Sequence, residues 1–205
     1  MPWAFLEELL GHLCPGCRGP LDRPFLCSAC REGLRAFHAD RFLYLGLYGR
    51  VGGLARALKY GGRWGLAALL AEPLAQGVRA AGWGLVGVTA VPTLLPRLLR
   101  RGYNPPDLLA QALAARLGLP YRKVLYRARY APSRPLVGRR ERARLPEGLF
   151  RPKEGVEGAW LLVDDVLTSG VTFLRAEEAL LEAGAERVYG AFIAVRDPGA
   201  LGPYR

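Results

Sequence analysis

Along this chain the apolar positions follow two rhythms, short continuous runs and a repeat of three to four residues. Continuous runs suit strands buried on both faces, and the helical repeat marks amphipathic helices. The runs predict strands over 42–48, 85–91, 123–126, 158–165 and 188–195. The repeat predicts helices over 2–10, 51–60, 64–80, 107–117 and 173–183, several of them closed by a glycine such as Gly61, Gly118 or Gly184. Pro73 falls inside the third of these, which predicts a kink or a split there. Strands alternating with helices predict an α/β fold with a doubly wound parallel sheet. Two segments break the pattern. Residues 92–104, with Pro92, Pro96 and three arginines ahead of Gly102, read as a basic loop. From 127 to 145 there is no apolar period but seven arginines, and a long unpatterned segment in a compact domain points to function.

The most informative run is Leu161-Leu162-Val163-Asp164-Asp165-Val166-Leu167-Thr168-Ser169-Gly170-Val171-Thr172. A buried strand there carries Asp164 and Asp165 to its C-terminal edge, where open α/β sheets place ligands. The small-residue turn that follows offers backbone N–H groups, hydroxyls and the positive end of the next helix to one small volume, a cradle for a phosphate. Ionised carboxylates only accept hydrogen bonds, so the acidic pair suits the vicinal hydroxyls of a ribose. Ribose beside phosphate describes a 5-phosphoribosyl group. A Walker-B strand also ends in acids, but it needs a G-x-x-x-x-G-K-[ST] loop, and the chain has no Gly-Lys pair. An ordinary strand–turn–helix with acidic ends leaves the two adjacent like charges without a reason. Gly82, Gly84 and Gly87 match the spacing of dinucleotide-binding loops, yet they precede a strand instead of following one.

Four cysteines stand early, as Cys14-x-x-Cys17 and Cys27-x-x-Cys30 with nine residues between the pairs. Two such knuckles bring four thiolates to a tetrahedron, the geometry of structural zinc. An iron site would use the same donors, though the loop between the knuckles is short for it. Disulfides are disfavoured where no export signal is read. His12 and His38 are read as bystanders. This divides the chain into a zinc module at 1–38 and an α/β domain at 39–205. The 205 residues carry 51% hydrophobic and 23% charged side chains, which excludes a disordered chain and suits a core of that size. The formal charge is +11, nearly all of it from arginine, with Lys59, Lys123 and Lys153 as the lysines. Such a surface attracts polyanions, and a GC-rich codon bias toward arginine produces the same composition. The start carries Glu7 and Glu8 in place of a basic leader, and the apolar stretches around 66–71 and 85–95 are short for a bilayer, so the expectation is a cytoplasmic protein without membrane insertion.

The 161–172 run resembles the signature of the type I phosphoribosyltransferases, which bind phosphoribosyl pyrophosphate (PRPP). With the four-cysteine module, A-L-K-Y-G-G at 57–62, V-P at 91–92, R-G-Y-N at 101–104 and an E-R pair at 141–142, the chain is similar over nearly its whole length to the ComF family of competence proteins. The resemblance implies a type I phosphoribosyltransferase fold and a PRPP site. Asp164 and Asp165 then hold the ribose and carry the chemistry, while Thr168, Ser169, Gly170, Val171 and Thr172 hold the 5'-phosphate. Mg²⁺ accompanies the ligand. Arg100 and Arg101, with Lys59, are expected at the pyrophosphate, and Arg139, Arg140 and Arg142 on a loop that closes over the site. The implied role is in natural competence and DNA uptake, with phosphoribosyl transfer and pyrophosphate release, or else a non-catalytic sensor or single-stranded-DNA adaptor. Implied partners are single-stranded DNA and a competence helicase or DNA-processing protein. Trp3, Tyr48, Trp64 and Tyr130 are aromatics suited to stacking on single-stranded bases. The chain departs from the family pattern at Pro105, Arg134 and Leu145.

Overall fold

The structure is a computed structural model that describes residues 13–128 and 148–202. The helix expected at 2–10, with Trp3 and His12, and the segment 129–147, with Tyr130, Arg134, Arg139, Arg140, Glu141, Arg142 and Leu145, lie outside the described residues. The elements in chain order are α1 (Ser28–Glu32), β1 (Phe37–Ala39), β2 (Phe42–Tyr44), α2 (Tyr48–Tyr60), α3 (Leu66–Ala81), β3 (Leu85–Ala90), α4 (Leu95–Arg101) and α5 (Pro105–Leu117). They continue with β4 (Leu125–Arg127), β5 (Phe150–Pro152), β6 (Ala159–Leu167), α6 (Val171–Glu182) and β7 (Arg187–Val195), then a 3-10 turn over Pro198–Leu201.

One sheet has the order β1-β2-β7-β6-β3, parallel throughout except for the β1–β2 edge. The central strand β6 pairs with β3 on one side and β7 on the other, so it is buried on both faces, as its unbroken apolar run requires. Its side chains alternate. Leu161 and Val163 join the cluster built from α2, α3 and α5, whereas Trp160 and Leu162 join the cluster that holds Phe173, Ala176 and Leu180 of α6. Helices therefore cover both faces, the doubly wound arrangement. β4 and β5 form a separate antiparallel pair on the α6 side, joined to that cluster through Leu125 and Phe150.

Several elements differ from the sequence expectation. Residues 95–101 form a helix instead of a loop, because Pro96 sits in its first turn, where the missing N–H is no loss. Pro73 neither splits nor ends α3, which runs unbroken with Leu70, Ala71, Pro73 and Leu74 buried. That packing outweighs the cost of an interior proline, about 3 kcal/mol. The strand expected at 42–48 is only Phe42–Tyr44, since Tyr48 already begins α2. β1 and β5 gave no run of their own. At the β1–β2 turn, Arg41 reaches across to bind the buried Glu177 of α6 through both carboxylate oxygens, and burial pushes that carboxyl up while Arg41 opposes the shift.

Close packing fixes β7 against β2. A Cβ added at Gly190 would sit 2.6 Å from the Phe42 ring and 2.8 Å from Phe192. The three rings of Phe42, Phe173 and Phe192 fill this face edge-on, so nothing there can yield without leaving its rotamer. Gly190→Ala is expected to lower stability by about 1–3 kcal/mol in urea unfolding, the range for an overpacked core; a wild-type midpoint would show that this face is loosely filled.

Candidate functional site

β3 ends beside β6 at the Ala90–Val163 pairing, with Val91 N–H donating to the Val163 carbonyl at 2.9 Å. β6 continues to Leu167, accompanied only by β7. The chain leaves β3 toward α5 on one face and leaves β6 toward α6 on the other. A crevice opens between two such strands, and open α/β sheets bind ligands there. Asp164 and Asp165 are the first two residues of β6 beyond the end of β3.

Neighbouring strand residues point to opposite faces, so the two carboxylates meet different surroundings. Asp165, which is 6% exposed, turns toward α2, and Lys59 Nζ in the last turn of that helix lies 2.6 Å from its Oδ2. Burial alone would lower the Lys59 pKa, but the charges of Asp165 and Asp164 outweigh it and hold the ammonium above its ordinary value. Asp164 accepts a hydrogen bond from the Asp165 N–H at 2.8 Å. Burial, then repulsion from Asp165, pushes its carboxyl well up, with Lys59 only partly opposing. One acid of the pair is thus matched by a cation, and the other holds its proton more tightly than an ordinary carboxyl.

The turn after β6 places Gly170 at φ 78° as the residue that starts α6, a left-handed conformation that glycine adopts freely. No side chain caps this helix. Its first N–H groups have no intrahelical acceptors and face the same end of the sheet as the acidic pair. Thr168 and Ser169 are exposed, while Val171 and Thr172 are half-buried.

The arginines sort differently from the sequence expectation. Arg100 is exposed, and the Arg101 guanidinium stacks over the Tyr60 ring at 5.0 Å, beside Lys59. Two others were missed by sequence reasoning. Burial and the charge of Arg97 lower the pKa of Arg127, and Asp164 opposes them, so these three groups share one field. Arg127 lies over Phe150 at 5.4 Å, and its Nε is buried without a hydrogen-bond partner among the described residues. It lines a cavity of about 480 Å³ together with Pro92, Thr93, Asn104, Lys123 and Lys153. Asn104, 6% exposed, donates to the Val91 carbonyl at 3.1 Å and to Asp107 at 2.9 Å, which ties the start of α5 to the end of β3. The signal for Arg97 was its helical spacing from Arg101, hidden while the segment read as a loop.

The four cysteines converge. Among the described residues, Cys14, Cys17, Cys27 and Cys30 are the group of acidic, His or Cys side chains close enough to hold a metal ion, with all sulfurs within 4.8 Å of one another. Cys17 and Cys27 Sγ are 3.7 Å apart. Metal–sulfur bonds of about 2.3 Å in a tetrahedron put sulfurs about 3.8 Å apart. Burial opposes ionisation of Cys14, but the backbone N–H groups of Cys27, Cys17 and Gly16 bring its pKa down to about 6. Burial, then the neighbouring thiols, push Cys30 up. Four such donors fit one cation that takes over the stabilisation of every thiolate. His38 stands apart, edge-on to Trp83 at 5.5 Å.

Fold and site together define an α/β protein with an acidic pair at the switch point of its sheet and, on its N-terminal side, four clustered thiols that could hold a metal ion. Curated relatives narrow this further. DNA utilization protein YhgH of Salmonella typhi is 33% identical over 185 residues, 86% of this chain and 81% of the relative. The Escherichia coli K12 protein of the same name is 30% identical over the same shares. The chain belongs to the YhgH family of DNA utilization proteins, which is ComF-like. No family model matches the chain. Among solved structures, glutamine PRPP amidotransferase from B. subtilis, complexed with ADP and GMP, is similar at 19% identity and a TM-score of 0.45, over 67% of this chain and 30% of that one. Orotate phosphoribosyltransferase from Aeropyrum pernix gives 21% identity and a TM-score of 0.39, over 84% and 81%. No helix among the described residues is long and apolar enough to cross a membrane.

The raised pKa of Asp164 has a consequence for stability. A carboxyl that holds its proton more tightly when folded loses stability as pH rises from its unfolded value toward its folded one. Asp164→Asn keeps the oxygen that accepts from Asp165 N–H and removes the half-buried charge beside Asp165. It is expected to stabilise the protein by about 1 kcal/mol at neutral pH, with the gain shrinking toward pH 4. Melting curves from pH 4 to 8 check this, and a gain that does not vary with pH would contradict the assignment.

Proposed function

We propose that this protein binds PRPP with Mg²⁺ at the crevice between β3 and β6 and transfers or senses its phosphoribosyl group in the handling of DNA. The reading is carried by one observation: the half-buried Asp164 and buried Asp165 stand one short turn ahead of an uncapped helix start, near a cavity whose lining includes Lys123, Arg127 and Lys153. Asp164 and Asp165 accept from the ribose hydroxyls. The N–H groups of the 168–172 turn, with Thr168, Ser169 and Thr172, surround the 5'-phosphate while Gly170 and Val171 supply backbone only. The fit extends to the leaving group. Arg127 is half-buried, has no partner at Nε among the described residues and is repelled by Arg97, so a pyrophosphate there would meet matching positive charge. Lys59 and Arg101 border the ribose from the α2 side, and Arg100 is the exposed neighbour. Arg139, Arg140 and Arg142 keep their proposed role as loop residues over the ligand.

Departure of pyrophosphate leaves positive charge on the sugar at C1', next to Asp164. The chain's task is to hold the sugar rigidly, stabilise the leaving charge and exclude water. Mg²⁺ supplies charge neutralisation on the pyrophosphate oxygens and needs few protein ligands of its own. We assign zinc to the four cysteines and place the protein in the cytoplasm, where thiols stay reduced. A second reading, a grip on single-stranded DNA, is favoured by Tyr60 and Trp64, which are 66% and 58% exposed beside Arg63 and Arg101.

Calorimetry with PRPP and Mg²⁺ tests the first reading. Asp164→Asn and Asp165→Asn are each expected to weaken binding by about tenfold or more while the protein stays folded, and unchanged affinity would remove the ribose assignment. Arg127→Met should weaken pyrophosphate more than ribose 5-phosphate, and equal losses would move the leaving group elsewhere. Metal analysis should find one zinc per chain, and its absence from protein purified without chelator would refute that assignment.

A further inference from the structure

Lys59 owes its position to α2, and α2 is a weak helix. Gly49, Gly52 and Gly53 lie within it, and glycine is the poorest helix former after proline. Its last turn is fastened on one side by Tyr103, whose hydroxyl donates to the carbonyls of Leu58 at 2.8 Å and Lys59 at 3.3 Å. The four-cysteine module fastens the other side. The Pro15 carbonyl, between the first two cysteines, lies so close to Gly53 that no side chain fits there. Arg63, just past the helix, donates to the Leu13 carbonyl at 3.2 Å. Cys14, Leu26 and Cys27 are buried in the same cluster as Leu54, Ala55, Leu58 and Leu66.

Phe25 adds an independent observation. Its φ of 71° is in the left-handed region, an outlier for an aromatic residue. In that conformation its ring lies on Gly65, where an added Cβ would be 2.5 Å from the ring. A strained residue two positions before the metal-site Cys27 is thus turned against the segment that joins α2 to α3. Strain of this kind persists where the surroundings over-determine it.

We propose that the four-cysteine module is a splint for the ligand site. Metal held by Cys14, Cys17, Cys27 and Cys30 fixes the Pro15 and Phe25 contacts, these fix the last turn of α2, and that turn holds Lys59 on Asp165. Lys59 is then a positioning residue set by metal occupancy, and the affinity for a phosphoribosyl ligand depends on a metal that never touches it. The affinity arm rests on the PRPP reading above, whereas the position of Lys59 does not.

The test uses the full chain, zinc-loaded. Gly65 has φ −60° and ψ −18°, so alanine suits its backbone and only the Phe25 ring is displaced. Gly65→Ala and Phe25→Ala are expected to retain one zinc per chain, to weaken PRPP·Mg²⁺ binding by about tenfold and to speed amide exchange across residues 54–62. Chelator treatment of the wild type should do the same. In a Lys59→Met background, Gly65→Ala should add no further loss of affinity. Wild-type exchange across 54–62 in the zinc-stripped protein and in both variants would overturn the proposal, as would a full additional loss in the Lys59→Met background. If PRPP binds none of the proteins, the ligand assignment falls and the exchange measurement alone decides the splint.

Discussion

The site rests on an electrostatic constraint: two adjacent carboxylates occupy a crevice where only one of them has a close cation. The pleat of β6 separates them onto opposite faces, so Lys59 at 2.6 Å pairs with Asp165 and opposes the charge of Asp164 only from farther off. Asp164 is left to burial and to the repulsion of its neighbour, and both push its proton affinity up. The arrangement needs β3 to stop at Ala90, because another paired residue would close the crevice over the acids.

Much of this was legible in the primary structure, for a physical reason. The 161–172 run combines a strand buried on both faces with charges that such a strand does not tolerate without purpose, and the cysteine spacing has few geometric solutions. What was not legible depends on partners distant in sequence. β1 is a three-residue edge whose identity comes from pairing with β2, and β5 owes its own to pairing with β4, which is distant in sequence. α4 was obscured by Pro92 and Pro96, although a proline in a first turn is compatible with a helix. With α4 unread, Arg97 had no face, and Arg127 was one arginine among seven in its stretch. Pro73 erred in the other direction, since burial against α5 carried α3 through it.

The basic composition takes on a local meaning once the elements are placed. Arg97 follows β3, Arg127 ends β4 and Lys59 ends α2, so three chain segments deliver cations to the same end of the sheet as the start of α6. Helix dipole and guanidinium charge then add at one place, where the low exposure of Asp165 keeps water screening weak. An anion entering there is drawn by several groups, while each arginine elsewhere on the surface acts in high dielectric and contributes little.

The segment 61–65 joins the two chemistries of the molecule. Before it stands Lys59, after it α3, and on it lie Phe25 of the cysteine module and the Arg63 bond to Leu13. Tyr103, donating to the same helix end, arrives from the turn after α4, so the cysteine module and the α4–α5 turn are both referenced to one short stretch. A glycine-rich stretch has no stiffness of its own and takes its shape from what is packed on it. Its glycines therefore serve the site by allowing the module and Tyr103 to approach closely, and rigidity is supplied from outside, by thiolates on one flank and a tyrosine on the other.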